Sequence, residues 1–182
     1  KVLIEISGLS DKIGIIASRF YGVPSRHCRV IGVTGTNGKT SCVQFLQQCL
    51  PHSGSIGTLG WGEGKGYSET RNTTPDAVEL QSILAQFQAN GIAHVAMEVS
   101  SHGLHQKRVS GVNFDGVMVT NITRDHLDYH GSMDNYVAAK LTLLASPGVR
   151  FAVVNLSGDY LEQILAAIPE NVMIWGVNLG GE

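Results

Sequence analysis

The sequence predicts an α/β fold: a P-loop-containing, mostly parallel sheet with helices on both faces. Three observations carry this. Short apolar runs of strand length alternate with helix-period segments along the chain. The 22 glycines suit many tight strand–helix junctions. Residues 32–40 read Gly-Val-Thr-Gly-Thr-Asn-Gly-Lys-Thr, between the apolar Val30-Ile31 and Ser41-Cys42-Val43-Gln44-Phe45-Leu46. A strand running through such a loop into a helix holds nucleotide phosphates.

The elements follow in order. Residues 11–22 place Ile13, Ile16, Ala17 and Phe20 near helical spacing and stop at Gly22-Val23-Pro24. Cys28–Val33 reads as the first buried strand and Thr40–Leu50 as the helix it feeds. Ser55–Trp61 reads as one short strand, and the polar, glycine-rich Gly62–Asn72 as an exposed hairpin or loop. Thr74-Pro75-Asp76 reads as a helix start with Thr74 as N-cap and Pro75 in the first turn. Val78, Leu80, Ile83, Leu84 and Phe87 continue that helix, and Asn90-Gly91 closes it. Strands are expected at His94–Val99, Phe114–Thr120, Arg150–Asn155 and Val172–Val177, with helices at Asp134–Ala145 and Tyr160–Ile168. In such sheets ligands bind beyond the carboxyl ends of the strands.

In the glycine loop, Gly35 and Gly38 permit tight turns that aim backbone N–H groups at phosphate oxygens. Lys39 can reach the β- and γ-phosphates, and the Thr40 hydroxyl can ligand Mg²⁺. The usual G-x-x-x-x-G-K-[ST] spacing asks for glycine at 33, where this chain has Val33. The plainer alternative is a glycine-rich turn that only joins strand to helix. The Lys-Thr pair and both flanking elements favour phosphate binding.

Composition excludes several classes. A net charge of −2 gives no general affinity for nucleic acid, and no apolar run is long enough to cross a bilayer. Cys28, Cys42 and Cys49 are odd in number and lack C-x-x-C spacing, so buried, reduced thiols in a cytoplasmic protein are expected. The chain starts with Lys, and the strand-like Val2-Leu3-Ile4 follows at once, so a piece of a longer protein is expected.

The remaining polar clusters follow strand ends. Glu98 lies among Ala96, Met97 and Val99, where a carboxylate is costly unless paired or metal-bound. It reads as a Mg²⁺ ligand or water-holding group, against the alternative of a solvated strand face. Residues 121–131 gather Arg124, Asp125, His126, Asp128 and His130. A solvated loop and a zinc pair are the other readings, the latter without a helpfully spaced third ligand. His94 reads as structural, while His27, His52 and His105 carry no distinguishing context. Lys140, beside Ala138, Ala139 and Leu141, either snorkels to solvent or is buried with a depressed pKa. Periodicity alone does not choose.

Five ordered blocks resemble the Mur ligases, the ATP-dependent amide-forming enzymes of peptidoglycan assembly. They are Thr34–Thr40 (TGTNGKT), Asn72-Thr73-Thr74-Pro75, Met97–Leu104 (MEVSSHGL), Thr120–Gly131 (TNITRDHLDYHG) and Tyr136–Lys140 (YVAAK). The combination is most similar to the MurE type, which adds the third stem-peptide residue to UDP-N-acetylmuramoyl-L-alanyl-D-glutamate. The resemblance implies that Gly35, Thr36, Asn37, Gly38, Lys39, Thr40 and Ser41 bind ATP. It assigns Thr40, Glu98, His126 and Lys140 to Mg²⁺, Lys140 as a CO₂-derived carbamate, and makes Lys39, Glu98, His126 and Lys140 the catalytic set. Asn72, Thr73, Thr74, Ser100, Gln106 and Arg108 match positions that grip the UDP-muramoyl-dipeptide. A diamino acid is the second substrate, and a monomer is expected.

The resemblance also implies an organisation: residues 1–25 as remnant of an N-terminal domain and linker, 26–182 as an incomplete ATP-binding central domain, and no C-terminal domain. The acidic pair usual after the asparagine of Asn155-Leu156-Ser157-Gly158-Asp159 is altered. ATP binding with little or no ligation by this chain alone is the expectation. Folylpolyglutamate synthases share the loop and the modified lysine but usually end the loop GKGS and lack the later blocks. A nucleotide-binding regulatory module is the reading from another class.

Overall fold

The computed structural model describes residues 7–64 and 66–178, so the Val2-Leu3-Ile4 run lies outside the described residues. Strands β1 (Arg29–Thr34), β2 (Ser53–Gly57), β3 (Gly60–Glu63), β4 (Gly66–Ser68), β5 (His94–Glu98), β6 (Phe114–Val119), β7 (Phe151–Asn155) and β8 (Met173–Val177) form one sheet. Their order is β4-β3-β2-β5-β1-β6-β7-β8. From β2 to β8 every pairing is parallel, and β3 and β4 add an antiparallel edge. The helices are α1 (Leu9–Phe20), α2 (Lys39–Cys49), α3 (Ala77–Ala89), α4 (Ser101–His105), α5 (Leu127–His130), α6 (Met133–Leu141) and α7 (Leu161–Ala166). None of the described helices is long and apolar enough to cross a membrane.

Strand periodicity sorts side chains between the two faces. Val33 of β1 and Ala96 of β5 pack with Val43 of α2 in a small cluster on one face. Val30, Val95 and Met97 join the large core of the other face, with Leu80, Ile83, Leu84 and Phe87 of α3 and Tyr136 and Val137 of α6. Glu98 follows Ala96 by two residues, so it points to the α2 face. Close approach also matters here: a side chain at Gly54 would run into the Phe87 ring.

The structure corrects four local expectations. The run Ser55–Trp61 is split, because the chain reverses at Thr58-Leu59 between β2 and β3. Gly60, with φ 102°, allows that reversal. Helix α3 is capped by Asp76, not Thr74: the Asp76 carboxylate accepts from Val78 N and Glu79 N, both at 2.9 Å. A carboxylate in the first turn also meets the helix dipole, so it outcompetes a hydroxyl two residues earlier. Val78 of that helix is 47% exposed rather than core. The helix expected over Asp134–Ala145 ends at Leu141, with turns beyond it, and α4 and α5 are short helices that weak periodicity concealed.

Replacing Asp76 by Ala is expected to lower unfolding stability by about 1 kcal/mol, the usual value of an N-cap side chain. Urea unfolding followed by circular dichroism checks it, with Asp76→Ser recovering most of the loss.

Candidate functional site

The site lies at the carboxyl end of the central strands, where loops after β1, β2, β5 and β6 meet. The glycine loop turns at Gly35 (φ 144°) and Gly38 (φ 83°), backbone angles that favour glycine. A side chain at Gly35 would strike the Thr120 hydroxyl. The loop is clamped to the end of β6. Thr36 N donates to Asn121 O at 2.8 Å, Asn37 N to Asn121 Oδ1 at 3.0 Å, and Thr120 Oγ1 to Asn37 O at 2.7 Å. Helix α2 begins at Gly38 with no side-chain cap, so its first-turn N–H groups take no hydrogen bond from a capping side chain.

Glu98 is 1% exposed and fully engaged. Its carboxylate accepts from Thr40 Oγ1 at 3.0 Å, Thr58 N at 2.8 Å and Thr58 Oγ1 at 3.3 Å. A side chain at Gly57 would collide with that carboxylate, so Gly57 makes room for it. Thr58 went unnoticed in sequence because it marks a turn rather than a motif. The solvated-face alternative for Glu98 is removed by this burial.

Lys140 is 2% exposed, so the snorkelling alternative is removed as well. Its Nζ donates to Gly35 O at 2.7 Å and sits 4.6 Å from the centre of the Tyr136 ring. Burial first, then the Lys39 charge, push its pKa down to about 7, against an opposing pull from Asp125. Lys39 Nζ donates to Gly35 O and Thr36 O, both at 2.9 Å. Burial lowers its pKa too, with Glu98 and Asp125 acting in the other direction. Asp125 is thus the carboxylate sensed by both lysines. Sequence reading named it in a cluster and gave it no role, because only folding brings it to them.

His126 takes a left-handed conformation (φ 49°), with Nε2 3.4 Å from Asp125 Oδ2 and its ring 4.8 Å from that of His102. His130 is buried, and its Nε2 lies 3.1 Å from Ser101 Oγ. Its pKa is lowered by burial and then by the neighbouring imidazoles and Lys140. His102, His105 and His130 contact the Tyr129 ring, and His126 joins this cluster through His102. Pairs spaced three and four residues apart, 102 with 105 and 126 with 130, were the available signal. No group of three or more His, Cys, Asp or Glu among the described residues is arranged to hold a metal.

The residues matched to the muramoyl-dipeptide form a hydrogen-bonded chain. Arg108 Nη1 donates to Thr74 O and Arg108 Nε to Gln106 Oε1, both at 2.9 Å, and Gln106 Nε2 donates to the Tyr129 hydroxyl at 3.0 Å. Thr74 is buried, its hydroxyl shared between Glu98 O at 3.0 Å and Ser100 Oγ at 3.1 Å. Ser100 caps α4 through Gly103 N at 3.0 Å. Thr73 Oγ1 touches Thr58 Oγ1 at 3.1 Å, and Asn72 and Ser41 are exposed. Asn155 Nδ2 ties β7 to Thr120 O at 3.0 Å. Cys28, Cys42 and Cys49 are free, but only Cys28 is buried as expected: Cys42 is half-buried and Cys49 exposed, because α2 turns little of its surface to the sheet.

A mostly parallel sheet whose central strand runs through a glycine loop into a helix places the chain among α/β proteins of the P-loop kind. The chain belongs to the Mur ligase family: the pattern of the Mur ligase middle domain matches residues 33–180. It is 45% identical over 183 residues to the UDP-N-acetylmuramoyl-L-alanyl-D-glutamate–2,6-diaminopimelate ligase of Coxiella burnetii, covering 98% of this chain and 37% of that protein. With the enzyme of the same name from Pseudomonas aeruginosa it shares 50% over 162 residues, covering 87% of this chain and 33% of that protein. The chain therefore spans about a third of the length of these relatives. A solved structure of such a diaminopimelate ligase superposes with a TM-score of 0.83 at 28% identity, over 94% of this chain and 37% of that one. A folylpolyglutamate synthase from Mycobacterium tuberculosis shares the fold, with a TM-score of 0.73 at 18% identity over 91% of this chain and 46% of that one.

The depressed Lys140 pKa has a pH consequence. The neutral amine's contribution to stability is fully present above 10.5 and lost as pH falls through about 7, because the unfolded chain holds the extra proton between those values. In CO₂-free buffer, Lys140→Met is expected to gain stability over wild type mainly below pH 7, the gain shrinking toward pH 10. Urea midpoints across that range measure it; a constant difference would refute the depressed pKa.

Proposed function

We propose that this chain is the nucleotide-binding middle portion of a ligase joining 2,6-diaminopimelate to UDP-N-acetylmuramoyl-L-alanyl-D-glutamate with ATP, in peptidoglycan synthesis. The observation that carries it is the convergence of Lys39, the Thr40–Glu98 pair and buried Lys140 on one glycine loop. The diaminopimelate ligases at 45% and 50% identity support the Mur-type reaction over a folate-type one, whose neighbour stands at 18%.

In this reading the dipeptide's terminal carboxylate attacks the γ-phosphorus of ATP, giving an acyl phosphate and ADP. The diamino acid's amine then displaces phosphate through a tetrahedral intermediate, releasing a proton and leaving the amide. The protein positions the reactants and screens negative charge. Lys39 leaves its carbonyl partners for the phosphates, and the uncapped N-terminus of α2 adds N–H donors.

The donor set fits magnesium: a carboxylate and a hydroxyl 3.0 Å apart are hard oxygen ligands, and Mg²⁺ takes one or two carboxylates plus phosphate oxygens. Thr40 and Glu98 would hold it, with His126 helping to place a second ion, and the metal would neutralise phosphate charge. Lys140 fits the carbamate. With a pKa near 7 its amine is substantially neutral at physiological pH and can attack CO₂, releasing one proton. The product keeps one N–H for Gly35 O and supplies a carboxylate where an ammonium would repel a metal. Asn72, Thr73, Thr74, Ser100, Gln106 and Arg108 are assigned to the muramoyl-dipeptide side, with Arg108 offering a fork of donors to an anionic group.

Calorimetry with MgADP tests the reading directly. Lys39→Ala should abolish measurable binding, and unchanged affinity would exclude a phosphate cradle. In the full-length ligase, Arg108→Ala should raise the KM for the muramoyl-dipeptide about tenfold or more while leaving that for ATP within about twofold, as expected for one charge-assisted contact. Equal losses for both substrates would place Arg108 outside the dipeptide site.

A further inference from the structure

Tyr136 heads the fully buried large side chains, with 0% exposure, yet its hydroxyl reaches the polar site. It precedes Lys140 by four residues on α6, so both side chains leave the same helix face. The hydroxyl lies 3.0 Å from Thr36 Oγ1. The direction of that bond follows from Thr36's other partners. Thr36 donates its single proton to Thr123 O at 3.1 Å and accepts from Thr123 N at 2.9 Å. One acceptor position remains, so Tyr136 is the donor. On the same residue, the ring face lies 4.6 Å from Lys140 Nζ. A single side chain thus touches the glycine loop through Thr36, the loop after β6 through Thr36's partner Thr123, and the buried lysine.

We propose that Tyr136 is a positioning residue for the ligase reaction: its hydroxyl pins the nucleotide loop at Thr36, and its ring sets the Lys140 amine beneath Gly35. This rests on the nucleotide and carbamate reading above. The two functions reside in different atoms of one residue. Removing the hydroxyl leaves Thr36 with an unfilled acceptor and the loop free to shift, while the lysine keeps its wall. Removing the ring opens space beside Nζ, readmits water and returns rotamer freedom to a long side chain.

Two variants separate these roles. MgADP affinity is read by calorimetry, and Lys140 carbamate by the ¹³C resonance that forms in ¹³C-bicarbonate and is missing from Lys140→Arg. Tyr136→Phe should keep the carbamate resonance and bind MgADP about three- to tenfold more weakly, the value of one neutral hydrogen bond. Tyr136→Leu should show the same weakening and, at equal bicarbonate, lose most of the carbamate resonance. Tyr136→Met replaces it if the leucine variant does not fold. A phenylalanine variant that is less stable but binds MgADP like wild type overturns the hydroxyl's role, and a full resonance in the leucine or methionine variant overturns the ring's. Absence of the resonance from wild type would instead remove the carbamate reading and the ring's role with it, leaving the phenylalanine affinity to decide the loop.

Discussion

The carbonyl oxygen of Gly35 accepts from two lysine amines at once, Lys39 at 2.9 Å and Lys140 at 2.7 Å, and the site is arranged around this shared acceptor. Two cations directed at one oxygen in a largely buried place repel each other and lose hydration. Burial leads the causes that lower both pKa values, and Lys39 further lowers that of Lys140. Asp125 offsets part of this from the loop after β6. A triphosphate would offer Lys39 a stronger partner than a carbonyl, so the arrangement is poised for an anion.

This geometry requires the loop to cross between the two faces of the sheet. Thr40 and Glu98 belong to the α2 face, with Val33 and Ala96 beneath them. Lys140 and Tyr136 stand on the α6 face, over the large core. The backbone of residues 35–38 joins them at the carboxyl edge, where no side chain at Gly35 would fit against Thr120. Clamping by Thr120, Asn121 and Thr123 gives the loop a fixed shape before any ligand arrives. Such prior order lowers the entropic cost of binding and of reaction.

The legible parts of the chain were those with strong local patterns. The β1–loop–α2 junction was read nearly to the residue because glycine, lysine and threonine there answer to local geometry. Most strands were placed within one or two residues from their apolar runs. The hairpin at Thr58-Leu59 was missed because a tight reversal between two glycine-containing strands interrupts no apolar pattern. Thr74 resembled a cap by type, but it is buried against Glu98 and Ser100, and Asp76 was free to serve α3. The histidine cluster went unread because two separate turns supply it.

By itself, the sequence determined the α/β class, the phosphate-type loop and the identity of the chemical groups, since these depend on near neighbours along the chain. Only the tertiary structure decided that Glu98 is paired rather than solvated, that Lys140 is buried rather than snorkelling, and that Asp125 faces both lysines. Those outcomes turn on desolvation and on charges many residues away, and neither exists until the sheet has assembled.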